Sequence, residues 1–214
     1  MTTELTNLAA MVDGVTLQDG QPDVISWRFS PNGEYSARSA YALQFEGATS
    51  MDGFKLIWHA WAPGNCRFFV WTTMLGKIMT ADALLRRERE NEYFFWLCEC
   101  SLETPMHLFT ECPWSRKIWN WTAVQAGLPS LQPTMWDGQP NFARWLQNCV
   151  SMETPRKRKG LLSLMYLTIW EISRERNRRI FQKECMSQNA FITKIKDEII
   201  LWNMAGAGIP FDPG

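Results

Sequence analysis

The 214-residue sequence has little of several features that define common protein classes. It carries no net formal charge at pH 7, and it contains only six Cys and two His. Zero net charge beside 46% apolar residues excludes an intrinsically disordered chain. Six Cys are far below the density of a disulfide-rich secreted scaffold. We therefore expect a folded protein whose thiols are mostly reduced.

Long apolar runs are also missing. The sequence has no uninterrupted apolar stretch of about eighteen residues, the length at which a membrane helix becomes a candidate. Its first residues lack the basic segment and the apolar segment of a secretory signal. We expect no membrane insertion and an intracellular location, either cytoplasmic or nuclear.

The residue sets of common enzymes are absent too. Polymerase chemistry uses paired carboxylates that hold two metal ions, and the one adjacent acidic pair is Asp197-Glu198, on the polar face of a predicted helix. No glycine-rich phosphate loop occurs. His59 lies between apolar positions of a Trp-rich segment, where packing is a better explanation than catalysis. The sequence therefore predicts a protein that is not an enzyme.

Positive charge is concentrated at one end of the chain. Residues 1–50 carry 2 basic and 6 acidic side chains, residues 51–130 carry 8 of each, and residues 131–214 carry 12 and 8. Such clusters can bind phosphate, although a solvated helix face is the commoner explanation. The candidate nucleic-acid ligands are Arg156, Lys157, Arg158, Lys159, Arg174, Arg176, Arg178 and Arg179.

The apolar pattern predicts a mainly α protein with one N-terminal β-hairpin. Strand-like runs flank Asn32-Gly33, a pair that favours a type I′ turn, and Ser39 is placed as the N-cap of a following helix. Thr80 is a second predicted N-cap, and later helices are predicted at 115–126, 161–182 and 188–204. The predicted organisation is an arm (1–22), a hairpin plus helix (23–53), a central domain (54–126), a Gly/Pro/Gln-rich linker (127–140), a helical segment (141–205) and a frayed tail (206–214).

Four potential metal ligands lie within fifteen residues, in the pattern Cys98-x-Cys100-x6-His107-x4-Cys112. Thiolate and imidazole are the donors that suit tetrahedral zinc. Structural zinc sites usually have two residues between the first two Cys, so the single residue between Cys98 and Cys100 departs from the usual spacing. The alternative is that the three Cys are small buried apolar residues and that His107 binds a backbone partner.

Motifs around this segment resemble a known family. Between Trp58 and Trp119 they include Arg67-Phe68-Phe69-Val70-Trp71, Thr80-Ala81-Asp82-Ala83-Leu84, Glu103-Thr104, His107-Leu108-Phe109, Glu111-Cys112-Pro113 and Ile118-Trp119. This pattern resembles the zinc-binding domain that follows the reverse transcriptase in plant LINE-type non-LTR retrotransposons. Residues 23–41, and later segments such as Ile169-Trp170-Glu171 and Glu175-Arg176-Asn177, are similar to the regions that flank that domain.

The resemblance implies a zinc site with one departure. In the family the ligands run Cys-x2-Cys, then His-x4-Cys, and the first of these positions is Phe95 here. Cys98, His107 and Cys112 match the other three positions, and Cys100 is a candidate for the fourth. A set of three protein ligands would leave an open coordination position and bind zinc more weakly.

Two functions from different classes follow. The first is a protein–protein interaction module, repurposed from the retroelement, with a regulatory role or a place in a toxin and antidote pair. Trp and Arg are enriched at binding hot spots, and the chain has twelve Trp. Five of these match aromatic positions of the family and are predicted to be core: Trp27, Trp58, Trp71, Trp119 and Trp170. The predicted partner surface is formed by Trp96, Trp114, Trp121 and Trp136.

The second function is RNA or DNA binding by the basic C-terminal third, since the resemblance implies a domain that holds template RNA or target DNA. A pI near 6.7 argues against it, because phosphate binding depends on clustered positive charge. A relic without a selected function is a third possibility. The partner's identity and the oligomeric state are left open by the sequence.

Overall fold

The computed structural model describes residues 2–13, 20, 22, 25–44, 53–89, 97–98, 101–136 and 138–211. The chain forms two units, Met1–Thr49 and Ser50–Gly214. The N-terminal unit contains α1 (Thr2–Asp13) and α2 (Ala37–Gln44). The second unit contains α3 (Phe54–His59), α4 (Gly64–Met74), α5 (Ala81–Leu85), a π-helix (His107–Glu111), α6 (Pro113–Ala126), two 3₁₀ turns, α7 (Phe142–Ser151), α8 (Pro155–Asn177), a second π-helix (Arg178–Gln182) and α9 (Gln188–Met204).

The predicted mainly α class is confirmed, but the predicted N-terminal hairpin is wrong. A type I′ turn needs positive φ at both central residues, and of Asn32-Gly33 only Gly33 has it, at φ +71°. Ser30 instead hydrogen-bonds to the carbonyls of Trp27 and Glu34, which closes a compact turn. No strand forms in the parts of the chain that the structure describes.

The helix after this turn begins three residues earlier than predicted. Ser36, and not Ser39, precedes the first residue of α2. The Ser39 backbone N–H donates to Ser36 Oγ at 3.1 Å, and the Ser36 N–H donates to Ser39 Oγ at 3.3 Å. This reciprocal pair satisfies backbone donors at the helix start, as a capping box does.

Helix α8 is the centre of the second unit. Fourteen of its 23 residues are buried, and it contacts α3, α4, α7 and α9. Pro155 occupies its first turn, where the missing N–H costs nothing. No helix among the described residues is long and apolar enough to cross a membrane.

Residues 128–136 of the predicted linker pack into the core. Their prolines start two short 3₁₀ turns, Pro129–Leu131 and Pro133–Met135. Trp136 is 6% exposed, and its indole N–H donates to the Ser130 carbonyl at 2.9 Å. Its ring also contacts the buried rings of Trp119 and Trp145. The sequence predicted a linker because Pro and Gly favour turns. Turns can nevertheless be buried when apolar side chains lie between the turn residues.

The tail predicted as frayed is ordered as far as the structure describes it. Ala207 and Ile209 are buried, and the Asn203 side chain hydrogen-bonds both the N–H and the carbonyl of Ile209. Gly160 of α8 lies directly against the Gly208 carbonyl. The tail therefore belongs to the core of the second unit.

The five Trp predicted to be core divide into different environments. Trp119 is fully buried. Trp27, Trp71 and Trp170 are partly buried. Trp58 is 62% exposed, so its assignment to the core is wrong. Apolar periodicity could not place Trp58 because α3 has only six residues, too few to define one buried face.

The contact between α8 and the tail predicts that Gly160→Ala destabilises the protein by about 1–3 kcal/mol, because the added Cβ collides with a backbone carbonyl that has little freedom to move. Gly64→Ala is the matched control, since nothing lies within 4 Å of a Cβ at that helical glycine. It should be neutral or slightly stabilising, within about 1 kcal/mol. Urea unfolding of both variants measures the difference, and equal stabilities would contradict the packing described.

Candidate metal centre

Three of the four predicted metal ligands come together in the structure. The ligand atoms of Cys98, His107 and Cys112 all lie within 4.8 Å of one another. Cys98 Sγ is 3.1 Å from His107 Nε2. Cys112 is fully buried and His107 is 8% exposed. Two thiols and an imidazole at this spacing form a donor set that fits a zinc ion. Cys100, the predicted fourth ligand, lies outside the described residues.

A π-turn brings His107 and Cys112 to the same side. An α-helix rotates about 100° per residue, so residues five apart would point roughly 140° away from each other. The π-helix closes hydrogen bonds between residues five apart, and the Cys112 N–H donates to the His107 carbonyl at 2.8 Å. Pro113 then disfavours helical geometry at the preceding residue, and Cys112 has extended ψ of 127°. The His-x4-Cys-Pro pattern thus encodes the geometry of the site.

Side chains of α6 complete the backbone bonding of this π-helix. Ser115 Oγ donates to the Leu108 carbonyl at 2.7 Å. The Trp119 indole N–H donates to the Phe109 carbonyl, also at 2.7 Å. Carbonyls at a helix end need such partners when they are buried. Trp119 therefore packs in the core and also supports residues 107–112, which carry two of the candidate ligands and are called the metal segment below.

The surroundings of His107 favour its neutral form. Burial lowers the pKa of His107, and the carboxylates of Glu111 and Glu103 only partly oppose that effect. Neutral imidazole is the form that binds metal. Ser101 Oγ lies 2.9 Å from Nδ1, and a carboxylate oxygen of Glu111 lies 4.0 Å from the same atom. Both groups can orient the ring, and neither role was predicted from the sequence.

Glu103 and Thr104 fix the metal segment through two contacts, one with its own backbone and one with α8. Thr104 Oγ1 accepts the His107 backbone N–H at 3.0 Å, as an N-cap side chain does. Glu103, 2% exposed, forms a two-pronged ion pair with Arg176 of α8, with N···O distances of 2.5 and 3.0 Å. Arg176 also donates to the Met79 carbonyl at 2.9 Å. The sequence could have predicted this cap, because Thr104 lies three residues before His107. No neighbouring residue in the sequence indicates that Arg176 pairs with Glu103.

The structure places the four arginines at the end of α8 in ion pairs, and their predicted binding of nucleic acid stays a prediction. Each of the four forms an ion pair with a buried glutamate, although Arg178 and Arg179 share Glu175 and Arg174 is itself exposed. The pairs are Arg174–Glu171, Arg176–Glu103, Arg178–Glu175 and Arg179–Glu175. Arg179 also reaches the Leu97 carbonyl beside Cys98, at 3.5 Å. These arginines stabilise the buried glutamates, and neutralising them would leave buried carboxylates unpaired.

The other predicted basic cluster lies on the surface. Arg156, Lys157, Arg158 and Lys159 are all exposed in the first turns of α8. Arg158 donates to the Glu153 carbonyl at 3.0 Å. This cluster remains accessible to an anionic partner.

The predicted Trp surface is not formed as expected. Trp136 is buried, as described above, and Trp96 lies outside the described residues. Trp114 is partly buried against Phe191, with the Arg179 guanidinium 5.3 Å from its ring centre. Trp121 is partly buried, with its ring centre 6.3 Å from that of Phe211. The described members of the set therefore pack within the protein.

The described cysteines outside the metal centre lie in two different environments. Cys66 and Cys149 are buried, and burial raises the pKa of each thiol to about 12. Both should be unreactive near neutral pH. Cys185, in contrast, is exposed.

Comparisons with known proteins agree with this geometry. Residues 35–119 match the family described as zinc-binding in reverse transcriptase. A protein of Arabidopsis thaliana that is named as a ribonuclease H protein is 27% identical over 122 residues. That match covers 55% of this chain and 20% of the relative, so it spans about one fifth of the relative's length. No solved structure matches the chain significantly.

The three-donor cluster predicts that the purified protein binds about one zinc ion per chain and that zinc shields the partly buried Cys98 from alkylation. Removing the metal with a chelator should make Cys98 reactive, whereas Cys112 is as buried as Cys66 and Cys149 and should react only after denaturation. Cys185 should react under either condition, and Cys66 and Cys149 under neither until the protein is denatured. Peptide mass mapping after alkylation measures each site.

Two variants make this test specific. Cys112→Ser should lower zinc content strongly, and Cys185→Ser is the matched control that should leave it unchanged. Cys100→Ser shows whether this residue supplies a fourth donor. Zinc content that is the same in Cys112→Ser and in the control would rule out the proposed site.

Proposed function

We propose that this chain, whose residues 35–119 form a retrotransposon-derived zinc-binding domain of the reverse-transcriptase type, is a non-catalytic module that binds a protein partner. One observation carries the proposal. Two large aromatic side chains, Trp58 of α3 and Phe68 of α4, are 62% and 60% exposed. Large exposed apolar patches mark interaction sites, and Arg67, the neighbour of Phe68 in α4, lies over the Trp58 ring.

The chemistry around these rings is that of a binding hot spot. The Arg67 guanidinium lies 5.9 Å from the Trp58 ring centre, and the Phe68 ring is 5.4 Å from that of the partly buried Trp71. Trp and Arg dominate the measured energetics of protein interfaces. We call Trp58, Arg67 and Phe68 the aromatic face. It replaces the Trp surface that the sequence predicted.

The length of the relative supports a protein partner. The relative extends well beyond the matched region, since the match covers only 20% of it. A surface of this kind on one part of a longer protein suits contact with a neighbouring polypeptide. A separate chain that retained the aromatic face could use it to regulate another protein, or to act within a toxin and antidote pair.

Zinc has a structural role in this proposal. Cys98, His107 and Cys112 would hold the ion, and the ion would fix the π-helix against the turn that carries Cys98. Metal binding of this kind adds its free energy to folding. The aromatic face and the metal centre belong to the same unit of the structure, residues 50–214.

Nucleic-acid binding is a second candidate, favoured by the exposure of Arg156, Lys157, Arg158 and Lys159. These residues could neutralise a few phosphates. The second arginine cluster, which the sequence had added to this interface, is engaged with buried glutamates. Binding through 156–159 alone would be weak and strongly dependent on salt.

One experiment separates the two candidates. Tagged full-length protein is used to purify partners from nuclease-treated native tissue extract. We expect a stoichiometric protein partner that is retained by Arg156→Gln/Lys157→Gln and lost by Trp58→Ser/Phe68→Ser. Both double variants change exposed side chains, so both should remain folded, and circular dichroism confirms it.

The opposite pattern would replace the proposal. A partner that disappears after nuclease treatment, together with oligonucleotide binding that fails in the Arg156/Lys157 variant, would establish nucleic-acid binding. Partner binding that is unaffected by the loss of Trp58 and Phe68 would contradict a role for the aromatic face.

A further inference from the structure

A cavity of about 310 Å³ lies where α4, the segment 77–80 and the end of α8 meet. Its volume is at the lower end of ligand pockets, large enough for one sizeable side chain. The cavity has an apolar wall formed by Phe69, Ile78 and Leu108. Leu108 directly follows the metal ligand His107, so the metal segment forms part of the cavity.

Two large apolar side chains extend from this cavity into solvent. Phe181 is 76% exposed and Met79 is 48% exposed, and both line the cavity. Phe181 belongs to the π-helix that follows α8, a type of element often found at functional sites. An apolar cavity with exposed apolar side chains at its edge is suited to receive a side chain from another molecule.

The polar side chains of the cavity include several hydrogen-bond donors, although the Thr80 hydroxyl already donates to Asp82. Lys77 is exposed, and no described carboxylate lies within ion-pair distance of it. The Ser173 hydroxyl and the Asn177 amide also line the cavity. Arg176 lines it as well, but two of its nitrogens are bonded to Glu103. Ammonium, hydroxyl and amide groups together suit a carboxylate.

We propose that this cavity binds a protein segment that presents an aromatic or large aliphatic side chain next to a carboxylate. The apolar side chain enters between Phe69, Ile78 and Leu108, and the carboxylate meets Lys77. This inference rests on the proposed function, because it names the chemistry of the partner, but it uses none of the residues of the aromatic face. Charge complementarity at Lys77 is what selects an acidic segment over a basic one.

The proposal can be tested with a small probe and the full-length zinc-loaded protein. 3-Phenylpropionate carries the aromatic ring and the carboxylate, and 3-phenylpropionamide has the same shape without the charge. Titration followed by methyl NMR should shift the signals of Ile78, Met79 and Leu108. The acid should bind more tightly than the amide by about two- to fivefold, the size of an exposed ion pair.

Two lysine variants identify the charged contact. Lys77→Gln should reduce the affinity for the acid to that for the amide, and Lys117→Gln, at an exposed position of α6, removes the same charge and should change nothing. Phe181→Ala should weaken both probes. Equal binding of acid and amide by the unmodified protein would overturn the proposal, as would shifts confined to other methyl groups.

The outcome is distinguishable from that of the partner purification. If neither probe binds but partner retention still depends on Trp58 and Phe68, the cavity proposal fails and the proposed function stands. If the probes bind as expected and no protein partner is recovered, the cavity is a binding site and the aromatic face loses its support.

Discussion

The buried ion pair between Glu103 and Arg176 is the interaction on which the metal segment depends. It joins residues 73 positions apart in the sequence and is almost completely enclosed. A buried carboxylate is costly unless a charged partner and further hydrogen bonds accompany it. Arg176 meets both needs and also binds the Met79 carbonyl. One side chain of α8 thus fixes the positions before α5 and before the π-helix.

The same constraint explains where the positive charge of the C-terminal third is used. Glu175 is 1% exposed and accepts hydrogen bonds from Arg178, Arg179 and the Met186 N–H. Glu171 is equally buried and pairs with Arg174 and Lys194. Most of the positive charge at the end of α8 is therefore paired with buried carboxylates, and Arg174 is its exposed member. Four exposed cations remain at the beginning of α8. The other groups available to bind a partner are the exposed aromatic side chains and Lys77.

Local patterns predicted the long elements well and the contacts between elements poorly. Apolar spacing placed α9 at 188–204, and the family resemblance pointed to Cys98, His107 and Cys112, which the structure brings together. Those signals are contained in adjacent residues. Periodicity could not show that Pro-rich turns would carry Trp136 into the core, because that burial depends on Trp119 and Trp145. The sequence could not predict the pairing of Arg176 with Glu103 either, because these residues are far apart in the chain and meet only after folding.

The most direct test of this account compares two arginines that differ mainly in burial. Arg176 has a side chain 13% exposed and is the charged partner of Glu103, whereas Arg174 is 47% exposed and its partner Glu171 retains Lys194. Urea unfolding of the zinc-loaded variants should show a loss of about 3–5 kcal/mol for Arg176→Met and of about 1 kcal/mol or less for Arg174→Met. Similar small losses in both variants would contradict the claim that the buried ion pair holds the metal segment to α8.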